Sequence, residues 1–288
     1  MCSASLRRIA VILAFMAGAH GAADGRELRF CGDPNDLPFS NEKQQGFENR
    51  IARIVADELK ASVTYRWWAQ RRGFLRNTLN AGTCDLVMGI ASNLEMLRTT
   101  RPYYRSGYVF VTRAADHLDI ASLDDPRLRW LKVGVQLVGD DGANTPPAHA
   151  LARRGIVGNL RGYPIYGNFA DPEPGRRIVD AVANGEVNVA LVWGPTAGYF
   201  ARSSAVPLAL AKVAPEIDGP MLPMVFDISM GVRKDDATLR REVDDALRRR
   251  RSDIDAVLAA YGVPRFERLS GTTPTLAARG AVSSEAGQ

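Results

Sequence analysis

NAGTCDLVMG occupies residues 80–89, and ANGEVNVALVWG occupies residues 183–194. Each begins as the end of a helical pattern that a glycine stops, Gly82 in one and Gly185 in the other. Two linking residues follow, then Asp85 or Asn188, then an apolar run without alternation. Such a run is the pattern of a strand buried on both faces, as in a parallel sheet covered by helices. Its recurrence predicts two α/β lobes of similar build rather than one long domain.

The flanking sequence extends the pattern in both directions. LRFCG and SVTYRWW read as strands ahead of CDLVMGI, with GFENRIARIVADEL and GFLRNTLNAG as intervening helices. Phe47, Ile51, Ile54, Val55 and Leu59 recur at helical spacing. In the second half KVGVQLV reads as a strand, PPAHALARRG and RRIVDAVANG as helices, and VNVALVWG as a strand. PYYRSGYVFVTR (102–113) and MVFDISMGVRK (224–234) read as extended crossings between the lobes. The expected fold is α/β and two-lobed, with two parallel-rich sheets, helices on both faces and two hinge crossings. Expected boundaries are 27–110 plus 229–268 for lobe 1 and 111–228 for lobe 2, with an aperiodic, disordered tail at 269–288. Two crossings imply hinge motion.

At the N-terminus, Arg7 and Arg8 precede an apolar run from residue 9 to 17 and then AGAHGAA. A basic head, short apolar core and small residues describe a secretory signal peptide over 1–23, with export to the periplasm. The run is shorter than the roughly 20 residues of a membrane span. The chain of 288 residues carries a formal charge of +5, which falls to +3 when Arg7 and Arg8 leave with that segment. The run RRRR at 248–251 has no aromatic interleaving and reads as a solvated helix face, not a nucleic-acid site. Without Cys2, the cysteines are Cys31 and Cys84. An oxidising compartment permits their pairing. Two buried thiols on neighbouring strands fit equally, and the residues leave both open.

Ligands of open parallel sheets sit beyond the carboxyl ends of the strands. That rule selects DPNDLPFSN (33–41), AQRRG, GIASN, GDDGANT and GPTAGYF as five loops facing one cleft. They and the strand ends beside them supply Asp33, Asn35, Phe39, Gln70, Arg71, Arg72, Met88, Asp140 and Asn144 as candidates. Trp67, Trp68, Tyr103, Tyr104, Tyr108, Trp193 and Tyr199 fall at strand ends or crossings, where aromatics give large contact area at low entropy cost. Alternation should bury one of Trp67 and Trp68, and Tyr103 and Tyr104 also suit hinge packing. Gln70, Arg71 and Arg72 place donors suited to a carboxylate or a peptide backbone in one loop.

Catalytic reagents are scarce. The histidines outside the signal segment are His117 and His149, and no paired-histidine metal motif, G-x-S-x-G elbow, P-loop or dinucleotide fingerprint occurs. GDDGANT lacks calcium-loop spacing. Glu48 is conceivable as a general acid, but no partner carboxylate is indicated, and a lone glutamate on a helix face is ordinarily surface decoration. The expectation is a non-enzyme with no metal and no cofactor.

LRFCGDPNDLPFSNEKQQGFENRIA, YRWWAQRRGFLRNTLNAGTCDLVMGI, TTRPYYRSGYVFV, NVALVWGPTAGYF and YGVPRF together resemble MoxJ/XoxJ-type proteins, within the family-3 periplasmic solute-binding proteins of ABC transporters. The resemblance spans roughly residues 27–266. It implies a periplasmic binding protein without a catalytic centre, associated with a PQQ-dependent quinoprotein methanol dehydrogenase (and its cytochrome) and serving its maturation or activation. It places Asp33, Asn35, Phe39, Trp67, Gln70, Arg71 and Trp193 along the inter-lobe cleft. The alternative it leaves is a receptor that delivers a small polar or anionic solute to an ABC permease. One departure matters. Amino-acid binders of the wider class carry Thr-x-x-Arg about a dozen residues before the Pro-Tyr crossing, but in IASNLEMLRTTRPYY Arg98 lies only four residues before Pro102. Asn188 also replaces the acidic residue usual at its position. A free amino acid is therefore a poor ligand.

Overall fold

The computed structural model describes residues 25–92, 94–138, 143–165 and 173–267. The expected signal peptide (1–23), Asp140 and the expected tail (269–288) lie outside the described residues. The first half contains β1 (Glu27–Gly32), β2 (Asn35–Asp36), β3 (Ser40–Asn41), α1 (Phe47–Glu58), β4 (Ser62–Trp67), α2 (Phe74–Asn77), β5 (Leu86–Ala91) and β6 (Arg98–Thr99). A long strand, β7 (Tyr104–Arg113), leads into β8 (Val133–Val138), β9 (Ala143–Asn144), α3 (Pro146–Arg153) and β10 (Leu160–Pro164). Then come α4 (Arg176–Ala183), β11 (Val189–Trp193), α5 (Gly194–Arg202), β12 (Leu208–Lys212), β13 (Ile217–Asp218) and β14 (Leu222–Pro223). The chain returns along β15 (Val225–Val232) to α6 (Ala237–Arg249) and α7 (Arg251–Ala260).

The hydrogen-bonded strand order is β10-β8-β11-β7-β15-β5-β1-β4. β1 pairs in parallel with β4 and β5, and β8 in parallel with β10 and β11. β7 and β15 are antiparallel to their neighbours. This differs from two separate sheets in one respect, and the reason is local. Where the chain crosses, Tyr104–Gly107 of β7 pairs with Val225–Ile228 of β15, so the backbone groups of the two crossings satisfy one another. Beyond that ladder each strand joins its own half: Tyr108–Thr112 pairs with β11, and Ile228–Gly231 pairs with β5. The architecture is thus a two-lobed α/β fold whose strand path runs unbroken through the hinge. The predicted helix GFLRNTLNAG shortens to Phe74–Asn77 followed by turns.

Alternation along the central strands explains why both faces need cover. Phe110 and Leu191 pack with Leu128, Val133 and Leu151, while Val109, Val111 and Val192 pack with Val179 and Phe200 of α4 and α5. In the other half Phe30, Leu86 and Met230 pack against Phe47, Ile51, Val243 and Leu258. The repeat proves structurally equivalent in its polar part. Asp85 accepts the Arg29 amide and donates its own N–H to Arg29 O, at 3.2 and 2.7 Å. Asn188 makes the same exchange with Lys132, both bonds at 2.9 Å. An amide oxygen serves this role as well as a carboxylate, so Asn188 is a strand-pairing residue.

Cys31 and Cys84 form a disulfide with Cα atoms 5.5 Å apart. Strand register sets Cys31 opposite Val87, so the bridge reaches diagonally to a residue ahead of β5. Each residue of the basic run is ion-paired along the helices: Arg248 with Asp245, Arg249 with Glu58, Arg250 with Asp253, and Arg251 with Asp255. Among the described residues no helix is long and apolar enough to cross a membrane.

Candidate functional site

The segment DPNDLPFSN is both a turn and the rim of a cavity. Asn35–Asp36 pairs with Ser40–Asn41 as a tight hairpin containing a cis Leu37–Pro38 bond. The carbonyls of Pro38 and Phe39 accept the amides of Phe47 and Glu48, two of the N–H groups that the start of α1 leaves unpaired. Only glycine fits at position 46, where a Cβ would stand 1.9 Å from Phe39 O. This close approach draws the first turn of α1 beneath the hairpin and carries Glu48 inward.

A cavity of about 460 Å³ lies between the halves. All five predicted loops or their flanking strand ends contribute to its wall: Asp36 and Phe39, then Gln70, then Gly89 and Ala91, then Thr145, then Trp193 and Thr196. Tyr108, Gln136, Phe226 and Ile228 add the hinge side. Trp193 meets Tyr108 and Phe226 edge-on at 5.4 and 5.8 Å. Its backbone N–H donates to Oε1 of the buried Gln136 at 2.7 Å, which fixes the end of β11 against β8.

Glu48 corrects the expectation of a surface residue. It is 9% exposed and reaches the cavity wall, with its carboxyl against Gly89, at φ +68°. A Cβ on Gly89 would lie 2.2 Å from Glu48 Oε1. Burial, and then the neighbouring Asp33 carboxylate, push the Glu48 carboxyl up to about 8. The same burial, with Asp33 and Glu48 nearby, holds Asp36 well above the usual carboxylate range. Burial also raises Asp33, against the pull of the Gln70 and Asn35 amides and of Arg71. A carboxyl at the first turn of a helix ordinarily favours its ionised form. Here desolvation and like charge win.

The remaining candidates divide. Asp33 is buried, and its carboxylate accepts Gln70 N–H at 2.6 Å and Asn35 N–H at 2.8 Å, so it ties two rim loops together rather than facing the cavity. Asn35 opens on a separate shallow cavity with Lys43 and Glu173. Trp67 stacks on Tyr65 at 4.4 Å and covers Gly32. Trp68 is the outward member of the pair, 38% exposed under Arg66. Neither indole lines the cavity, and neither do Arg71 and Arg72, although Arg71 acts on Asp33. Met88, Tyr103 and Tyr104 belong to the apolar core, correcting their placement at the rim, because they point to the α1 face of the sheet. Asn144 is exposed in β9, paired with Leu137. Tyr199 stacks on Tyr261 at 5.6 Å, where Gly198 comes so close to Gly262 O that a Cβ would stand 1.9 Å away. YGVPRF is therefore a strap between α5 and the end of α7. Nothing in the sequence pattern marks Asp36, Gln136, Thr145, Thr196 or Phe226 as site residues, and helical spacing sets Glu48 on the surface. Only position in the DPNDLPFSN loop points to Asp36. Glu48 needed the Gly46 contact, which the sequence does not display.

Among the described residues no three His, Cys, Asp or Glu side chains converge as a metal-ligand set. A family model described as bacterial extracellular solute-binding proteins, family 3, matches residues 28–262. The chain is 36% identical over 254 residues to Protein MoxJ of Methylorubrum extorquens, covering 84% of this chain and 82% of that one. It superimposes on the crystal structure of periplasmic binding protein XoxJ from Methylobacterium extorquens AM1 with a TM-score of 0.69 and 38% identity, over 84% of this chain and 100% of that one. MxaJ from Methlophaga aminisulfidivorans MPT gives a TM-score of 0.70 at 27% identity, over 83% and 100%.

Proposed function

Because the chain belongs to the bacterial extracellular solute-binding proteins of family 3, we propose that it is a non-catalytic periplasmic binding protein that assists maturation or activation of a PQQ-dependent methanol or alcohol dehydrogenase. The carrying observation is the match to the full length of XoxJ at 38% identity. The partner comes from the MoxJ/XoxJ resemblance. The test is titration of the mature protein onto purified quinoprotein methanol dehydrogenase, with and without bound PQQ. Saturable binding to either form is expected. Binding to neither overturns this reading.

The cavity itself favours a second reading, a receptor that passes a small solute to an ABC permease. Its volume lies within the range of about 300–1,000 Å³ seen for small-molecule sites. Asp36 and Glu48 on the wall argue against the anionic form of that solute.

A further inference from the structure

We propose that the cavity between the halves takes a small organic cation, a protonated amine or guanidine that carries no carboxylate of its own. The inference rests on the reading of this molecule as a cleft-binding protein, and is independent of the dehydrogenase partner.

Three observations carry it. The Glu48 carboxyl is nine-tenths buried at the wall, and among the described residues it has no hydrogen-bond or ion-pair partner. A carboxyl whose oxygens reach the cavity wall without a protein partner is open to a donor that enters the cavity. The position is built rather than incidental, because Gly89 leaves the space that the carboxyl fills. Second, Asp36 shares the wall, and no described lysine, arginine or histidine lines it. Above about pH 8, where Glu48 loses its proton, an anion would meet negative charge and no described counter-charge. Third, the wall also includes the aromatic residues Phe39, Tyr108, Trp193 and Phe226. Aromatic faces attract ammonium and guanidinium groups, the more so when water is excluded.

Other cations fit less well. A metal ion needs several converging oxygen or nitrogen ligands. The third acid nearby, Asp33, already spends its carboxylate oxygens on the Gln70 and Asn35 amides. A zwitterionic amino acid would bring a carboxylate that no described cation of the wall receives.

The test is a thermal-shift and calorimetric titration of the mature protein with benzylammonium, n-butylammonium and butylguanidinium. Benzoate, butyrate, benzyl alcohol and calcium chloride run as comparators. Saturable binding and a raised melting temperature are expected with one or more of the three cations and with none of the comparators. Glu48→Gln should weaken the best cation on the order of tenfold or more, while its circular dichroism stays that of the wild type. Asp36→Asn should weaken it too, which guards against a folding defect in one variant. Tighter binding of a carboxylate or of calcium overturns the proposal, as does no binding of any cation or equal affinity in both variants. Dehydrogenase titration separates the two readings. Capture of the enzyme without cation binding sinks this inference alone, and cation binding without capture sinks only the partner assignment.

Discussion

The Glu48 carboxyl occupies the space that a side chain at residue 89 would need: a Cβ there would stand 2.2 Å from Oε1. Gly89 also has φ +68°, a region that residues with a Cβ adopt at a cost. Gly89→Ala should therefore destabilise the fold by roughly 1–3 kcal/mol and displace Glu48 from the cavity wall. Urea unfolding measures the first effect. A Gly89→Ala protein as stable as wild type would show that the contact is not made.

Glu48 titrates in a crowded setting, facing Asp33 and Asp36 of the rim, Tyr65 of β4 and the hydroxyls of Tyr103 and Tyr104. Its carboxyl is raised from 4.5 in a free chain to about 8 in the fold. The sign follows from proton linkage. Below pH 4.5 both states hold the proton, whereas between 4.5 and 8 only the folded state keeps it, so stability is lost as pH rises through that window. Glu48→Gln removes this dependence and should stabilise the protein at pH 7 by on the order of 3 kcal/mol, with no gain near pH 4. Denaturant melts of both proteins from pH 4 to 9 decide it. Parallel curves would refute the burial of an ionisable group here.

The same titration bears on ligand binding. A cation that pairs with an ionised Glu48 must displace its proton, so affinity should rise with pH and level off above about 8. Calorimetry in buffers of different ionisation enthalpy should register proton release near neutrality. Uptake in place of release would be the wrong sign.

The disulfide joins residues 53 apart in sequence. Closing a loop of that length lowers the entropy of the unfolded chain by an amount worth roughly 4 kcal/mol. A Cys31→Ser/Cys84→Ser protein should unfold at clearly lower urea concentration than the oxidised protein. If the two midpoints coincide, the bridge contributes nothing to the fold.

Gln136 is 3% exposed and accepts the Trp193 amide at 2.7 Å. Gln136→Ala strands that N–H beside the cavity at a cost of about 1–3 kcal/mol. It should also alter Trp193 packing against Tyr108 and Phe226, read as a change in tryptophan emission. Unchanged emission and stability would mean that the bond does not hold the indole.

The apolar runs of residues 84–90 and 187–193 were enough to specify strands buried on both faces, and Gly82 and Gly185 marked where helices stop ahead of them. These features depend on local pattern, and so do the aromatic crossings and the rim loops at strand ends. What tertiary structure decided is the character of the site. A helix-face glutamate has no intrinsic preference for the interior; Glu48 goes there because Gly46 lets Phe39 O approach and Gly89 leaves room. Trp67 and Trp68, adjacent in sequence, part company because strand alternation turns Trp67 onto Tyr65 and Gly32 and Trp68 to solvent, whereas Tyr103 and Tyr104 are buried together against α1 and Trp193 reaches the cavity. Periodicity fixes which side of a strand a residue takes, but only the packing of one lobe on the other determines which sides meet.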